Sequence, residues 1–106
     1  MVSRSDAVHR NRQNYIEEFG EDRVTAYQAD FYNQDCLDST FRKIVANEQV
    51  DVLVNNAYDF SPRTGFNTSE GALESSPAEQ WSSAFESGIY WAVRATQLIG
   101  EQMKER

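Results

Sequence analysis

A short run of β-branched residues in the middle of the chain constrains its fold more than any other feature. Val50-Asp51-Val52-Leu53-Val54 is almost continuously apolar, a pattern typical of a parallel strand that is covered on both faces. A helical apolar pattern over 33–47 precedes it, and a β-branched and aromatic stretch over 23–29, ending at Asp30, comes before that helix. Strand, helix and strand in this order predict a right-handed crossover unit with two parallel strands.

Two amphipathic helices flank the first of these strands. Residues 6–19 place apolar side chains on one face, and Gly20 follows as a left-handed helix stop. The helix over 33–47 repeats apolar residues at steps of three and four, with Asn33 or Asp35 available as the N-cap. The length of 106 residues allows one domain. We therefore predict an α/β fold, a partial Rossmann-like unit in the order helix, strand, helix, strand, long loop, long helix.

The last half of the chain is predicted as a loop over about 58–76 and a long helix over about 77–104. Ser76 can cap the free amides, Pro77 suits the first helical position, and Glu79 can complete a capping box. Two apolar stripes follow along the helix. The first comprises Trp81, Phe85, Gly88, Ala92, Ala95, Ile99 and Met103, and the second comprises Ile89, Val93, Trp91 and Leu98.

Charge and the rarity of metal ligands exclude several classes of function. The chain carries 10 basic and 17 acidic residues, a net charge of −7, which argues against nucleic acid and anionic membranes as partners. The five glycines are too far apart for a phosphate-binding loop, and one histidine with one cysteine cannot assemble a zinc site. The single cysteine, the lack of a long apolar stretch and the absence of a signal-peptide pattern lead us to expect a cytoplasmic protein.

The turn after the central strand carries the most specific motif. Asn55-Asn56-Ala57-Tyr58 ends this strand, Asp30 ends the preceding one, and Trp81 opens the helix that continues to Thr96-Gln97. In this order the residues resemble the central part of the short-chain dehydrogenase/reductase family, Rossmann-fold oxidoreductases in which an Asn-Asn-Ala-Gly turn ends the fourth strand. The resemblance extends over essentially the whole chain, because Ser3-Arg4 is similar to the end of the second strand in members that prefer NADP.

The resemblance implies a binding site for NADP or NAD. Arg4 would meet the ribose phosphate, Asp30 the adenine, and the small-residue turn at Asn56 and Ala57 would let a ribose lie against the backbone. These four are the predicted cofactor-binding residues, and no catalytic or metal-binding residue is predicted. In a purely structural role, the asparagines would form an ordinary turn and Asp30 would cap a helix.

Two parts of the family's machinery are missing from this sequence. Neither the Gly-rich turn that binds pyrophosphate nor the Tyr-x-x-x-Lys pair that transfers protons is present. Two positions also depart from the family pattern: Tyr58 replaces the turn glycine, and Gly88 stands where the long helix usually carries a catalytic asparagine. Whether the chain is an enzyme is therefore uncertain from its sequence, and it is possible that it binds no cofactor.

The long helix is apolar on more than one side, which indicates a partner. One stripe suffices to cover two strands, so the second predicts a homo-oligomer. The family uses this helix in a subunit interface, and a two-fold dimer would bury Trp81, Phe85, Trp91 and Ile99.

Three hypotheses about function follow. The first is a central segment of a short-chain dehydrogenase/reductase-like protein, without catalysis of its own, that is oligomeric or held by a partner. The second is part of a working NAD(P)-dependent oxidoreductase whose remaining segments are not in this chain. The third is a repurposed interaction or small-molecule-binding module built on the loop, where Tyr58, Phe60, Phe66 and Arg63 would line a pocket.

Overall fold

The fold is a helix-rich α/β arrangement with two short parallel strands and three helices. A computed structural model describes residues 1–105, without the side chain of Glu70. The chain divides into two compact units, Met1–Ile44 and a second unit that begins at Val45. Each unit is described separately below.

The first unit contains both strands. β1 (Val2–Ser3) lies parallel to β2 (Tyr27–Gln28), with Val2 opposite Tyr27. The amide of Ala29 extends the ladder by donating to the carbonyl of Ser3 over 2.9 Å. The strand predicted over 23–29 is therefore shorter than expected, because its partner offers only two residues and Glu21–Arg23 forms a 3₁₀ turn.

The first two helices confirm the sequence prediction, and all of α1 and most of α2 belong to the first unit. α1 (Ala7–Phe19) ends at Gly20, whose φ of 101° is open to glycine but strained for other residues. α2 (Gln34–Asn47) begins after Asn33, whose Oδ1 accepts the amide of Cys36 over 3.1 Å. Asn33 is thus the N-cap. The apolar core of this unit comprises Val8, Ala29, Phe31, Leu37, Phe41 and Ile44.

The prediction that 50–54 forms a paired central strand is wrong. The sheet has the order β1-β2, so Val2–Ser3 takes the place expected for 50–54 beside Tyr27–Gln28. Among the described residues no strand pairs with 50–54, and Val52 and Val54 are 75% and 77% exposed. An almost continuous apolar run is typical of a strand that other elements cover on both faces. Such a run forms a strand only where a neighbouring strand is available to pair with it.

The long C-terminal helix is confirmed, although its start differs from the prediction. It consists of α3 (Ala78–Phe85), one π-helical turn (Glu86–Tyr90) and α4 (Trp91–Lys104). Pro77, rather than Ser76, occupies the N-cap position. The Ser76 hydroxyl instead accepts the indole N–H of Trp81 over 2.8 Å, so the predicted capping box is wrong.

The two apolar stripes predicted for this helix do not correspond to its buried and exposed sides, because Phe85 and Ala95 belong to the same predicted stripe and differ in burial. Ala95 and Ile99 are 3% exposed, whereas the exposed face carries Trp81, Phe85, Ile89 and Val93. The predicted interface set is therefore corrected: Ile99 is buried within the chain and Trp91 is half-buried, so neither shares the exposed face with Trp81 and Phe85.

The π turn keeps the exposed residues aligned. Steps of four residues rotate a side chain about 40° past a full turn in a regular α-helix, so a long series of such steps winds around the surface. The amide of Trp91 donates to the carbonyl of Glu86, five residues earlier, which widens the turn and offsets this rotation. We call the resulting surface of Trp81, Phe85, Ile89 and Val93 the exposed helix face. Over residues 1–105, no helix has the length and apolarity that a membrane crossing requires.

Candidate functional site

Two of the four predicted cofactor residues lie at the same edge of the sheet. Arg4 directly follows β1 and Asp30 lies two residues after β2, so parallel pairing brings both to the carboxyl ends of neighbouring strands. Both side chains are exposed. The Gln28 side chain donates to the Arg4 carbonyl over 3.1 Å and fixes the backbone there. In parallel sheets, this edge is where ligands bind.

Asp30 has a structural role, but it is a turn contact rather than the helix cap that was considered for it, because Asn33 caps α2. Its Oδ1 accepts the amide of Tyr32 over 3.1 Å, and its carbonyl accepts the amide of Asn33. This is the turn that leads into α2. One carboxylate oxygen therefore shapes the backbone, and the side chain as a whole remains exposed to solvent.

The other two predicted residues, Asn56 and Ala57, lie in the second unit and are exposed. The amide of Asn56 donates to the carbonyl of Val54 over 3.1 Å, which turns the chain at Asn55. The Asn55 side chain donates to the hydroxyl of Thr96 over 3.4 Å. The asparagine turn therefore attaches the segment before it to the long helix.

Three contacts arrange residues 50–58 antiparallel to the long helix. The amide of Val50 donates to Gln102 Oε1 over 2.9 Å. Asn55 contacts Thr96, and the ring of Tyr58 lies beside Gly88. Gln102 is the strongest of the three attachments, because its amide nitrogen also donates to the carbonyls of Val45 and Glu48.

The two departures from the family pattern are in contact with each other. A Cβ placed on Gly88 would lie 3.3 Å from Cε2 of Tyr58, closer than most such contacts. The bulky ring therefore fits because residue 88 has no side chain. Gly88 lies within the π turn, and such turns occur frequently at functional sites.

A buried polar cluster lies next to this contact, between the loop and α3. Asp59 is 8% exposed and its Oδ1 accepts the amide of Ser61 over 2.8 Å. The hydroxyl of Thr64 donates to the Asp59 carbonyl over 2.9 Å. Arg63 Nε donates to Ser83 Oγ over 3.3 Å, which connects the loop to the helix. These bonds satisfy groups that would otherwise be costly to bury.

Ser87 is the most deeply buried polar residue of the cluster region. It is 1% exposed, and within residues 1–105 its hydroxyl has no hydrogen-bond partner. Ser83 and Ser87 are four residues apart, as are Ala95 and Ile99 farther along the buried side of the helix. Asp59, Ser83 and Ser87 were not among the residues predicted from the sequence. The four-residue spacing of the two serines could have indicated that they share one face of the helix. Serines at this spacing more often face water, so the spacing does not by itself predict burial.

Aromatic side chains cover the outside of the loop. The ring centroids of Tyr58 and Phe60 are 5.0 Å apart, as are those of Phe60 and Phe66, and both pairs are edge-to-face. Phe60 is 64% exposed and Phe66 is 49% exposed. The structure thus brings together the three aromatics that were proposed for a pocket, as an exposed cluster on the surface.

The loop is held in shape by two glycines in backbone contact. It contains 3₁₀ turns at Pro62–Thr64 and Ser69–Gly71 and is otherwise irregular, as predicted for 58–76. A Cβ on Gly71 would collide with the carbonyl of Gly65, whose own φ is 75°. Both positions therefore require glycine.

In the described part of the chain, no group of three or more histidine, cysteine, aspartate or glutamate residues is arranged to hold a metal ion. No protein-family model matches the chain, and no curated protein or solved structure shows a significant similarity to it.

Proposed function

We propose that this chain is the central segment of a fold of the short-chain dehydrogenase/reductase type, that it has no catalysis of its own, and that it is oligomeric. The observation that carries the proposal is the position of Arg4 and Asp30 at the carboxyl ends of adjacent parallel strands. This is the edge at which Rossmann-type sheets bind nucleotides. The fold that goes with this proposal is a partial Rossmann-like unit, in which Arg4 and Asp30 face NADP or NAD. Asn56 and Ala57 remain cofactor-binding residues by the resemblance alone.

The lack of catalysis in the proposal rests on Tyr58 and Gly88. Their contact fills the space next to the turn with an aromatic ring, and the helix has no side chain at residue 88 to act on a substrate. The sequence also lacks the Gly-rich turn, which supplies most of the pyrophosphate binding in this type of fold. The single cysteine, which cannot form an internal disulfide, supports a cytoplasmic location as part of the same proposal.

Cofactor titration tests this proposal. The chain is titrated with NADP(H) and NAD(H) while the fluorescence of Trp81 and Trp91 is followed. We expect no saturable binding below millimolar concentration. Saturable binding at lower concentration that is weakened by Arg4→Ala would instead favour the second hypothesis, in which the chain is part of a functional oxidoreductase.

The oligomer in this proposal forms through the exposed helix face. Trp81, Phe85, Ile89 and Val93 are each 44–57% exposed and follow one another at steps of four residues. We expect sedimentation velocity to show a dimer that Phe85→Lys converts to a monomer. Tyr15→Lys is the control, because Tyr15 is also an exposed aromatic residue on a helix but lies in the first unit. A wild-type monomer at all concentrations would contradict the oligomer.

A second candidate function is an interaction or small-molecule-binding module that uses the aromatic cluster of the loop. The edge-to-face contacts of Tyr58, Phe60 and Phe66 favour it, because they hold exposed aromatic surface in a fixed arrangement. Titration with 1-anilinonaphthalene-8-sulfonate tests this function. Saturable binding lost in Phe60→Ser but retained in Leu73→Ser would support it, since Leu73 is also exposed in this loop.

A further inference from the structure

The exposed helix face and the aromatic cluster of the loop adjoin each other within the second unit. The ring of Tyr58 lies beside Gly88, which directly precedes Ile89 in the helix. From Tyr58 the ring contacts continue through Phe60 to Phe66, with both centroid distances at 5.0 Å. Exposed apolar surface therefore continues from the helix, across the glycine, into the loop.

The size of this surface decides whether its two parts can act separately. The four residues of the exposed helix face are 44–57% exposed, and Phe60 and Phe66 are 64% and 49% exposed. If a fully exposed side chain of this size presents roughly 150–250 Å², the helix face offers roughly 400 Å² and the two parts together roughly 600 Å². A specific interface needs about 500 Å² on each partner. The helix face alone falls short of this area, whereas the joined surface reaches it.

We propose that the aromatic cluster of the loop and the exposed helix face are two parts of one interface, and that a second copy of the chain occupies it. Each copy carries a net charge of −7, and a charge of one sign keeps copies of a protein apart. All six exposed side chains of the joined surface are uncharged, so two copies can meet there. This inference rests on the proposed function, because it assigns further residues to the oligomer proposed above.

The order of side-chain sizes along the helix favours a second copy as the partner. Trp81 and Phe85 lie at one end of the exposed helix face, and the smaller Ile89 and Val93 lie at the other. A two-fold dimer with antiparallel helices places the large end of each copy against the small end of the other, which keeps the volume even along the contact. The positive end of each helix dipole then also lies towards the negative end of the other. The face is thus complementary to a reversed copy of itself.

Sedimentation equilibrium of loop variants tests the joined interface. A two-fold interface contains each ring twice, and aromatic residues are enriched in the buried centre of interfaces. We expect Phe60→Ser to raise the dissociation constant of the dimer by at least about tenfold. Leu73→Ser is the matched control, because Leu73 is 76% exposed in the same loop but belongs to neither part of the surface. The control should leave the dissociation constant unchanged.

The outcomes separate this inference from the oligomer on which it rests. A dimer that Phe85→Lys dissociates and Phe60→Ser leaves unchanged would retain the proposed oligomer and overturn the joined interface. If Phe60→Ser then removed only the binding of 1-anilinonaphthalene-8-sulfonate, the cluster would be a small-molecule site. An equal rise in Leu73→Ser would also overturn the inference, and a monomeric wild-type chain would overturn both proposals. Phe66→Ser is the second variant and should weaken the dimer in the same direction, and circular dichroism checks the fold of each variant.

Discussion

The two units of the chain differ in what they bury. The first unit encloses apolar side chains from both helices and from the segment after β2, including Leu37, which is fully buried, and the ring pair of Phe31 and Phe41. The second unit buries Ala95 and Ile99 together with the polar residues Asp59, Ser83 and Ser87, and leaves much of its apolar surface exposed: Val52, Val54, Phe60, Phe66, Leu73, Trp81, Phe85, Ile89 and Val93.

This difference indicates which apolar residues stabilise the chain through burial within it and which do not. Burial of apolar surface stabilises a fold by roughly 25 cal/mol per Å², so the first unit obtains its stability from its own core. The second unit is held largely by hydrogen bonds to one helix, and its exposed valines and aromatics become stabilising only when another surface covers them.

The largest expected effect tests the assignment of the core. Leu37→Ala removes a fully buried side chain and is expected to lower the free energy of unfolding by about 2–5 kcal/mol. Val52→Ala, at a residue that is 75% exposed, is expected to change it by less than about 0.5 kcal/mol in dilute protein. Urea unfolding followed by circular dichroism measures both. Equal losses of unfolding free energy in the two variants would contradict the difference in burial between the two units.

The next effect concerns the attachment of residues 45–50 to the helix. Gln102→Leu removes the side-chain partner of three backbone groups, and we expect a loss of about 1–3 kcal/mol in stability. Amide hydrogen exchange at Val50 should accelerate in parallel. Gln97→Leu is the matched control, because Gln97 is exposed and its side chain accepts a hydrogen bond from Arg94 on its own helix. A similar change in the control would indicate a general effect on the helix.

The contact of Tyr58 with Gly88 is expected to give an intermediate effect. Gly88→Asn introduces a side chain against the ring and should destabilise the chain by about 1–3 kcal/mol. The double variant Tyr58→Gly with Gly88→Asn, which restores the residues of the family pattern, should recover part of the loss. Thermal unfolding of the four proteins gives the coupling energy. Additive effects would mean that the ring and the helix do not compete for the same space.

The smallest effect distinguishes the two buried serines. Ser87→Ala is expected to be neutral or slightly stabilising, because its hydroxyl is buried without a partner. Ser83→Ala should lower stability by about 1 kcal/mol, because it removes the acceptor of Arg63 Nε. Chemical unfolding of both variants checks this order. If Ser87→Ala were the more destabilising, the cluster would hold a bound water or ligand.

Local patterns predicted most of the helices and few of the tertiary contacts. The Asn33 cap, the Gly20 stop and the long helix followed from residues close together in sequence. The capping box at Ser76 did not, because Trp81 competes for the same hydroxyl. The predicted set of cofactor residues lies partly in each unit, with Arg4 and Asp30 brought together by strand pairing.

The sequence by itself determined the helices, the ends at Gly20 and Asn33, and the loop, because these depend on hydrogen bonds and apolar spacing within a few residues. Only the tertiary structure decided that Val2–Ser3 pairs with Tyr27–Gln28, and that 50–54 joins no strand within residues 1–105. It also decided which apolar residues of the long helix are buried, Ala95 and Ile99 rather than Phe85 and Val93. An apolar pattern indicates that a residue is suited to burial, whereas the elements that pack around it determine whether it is buried.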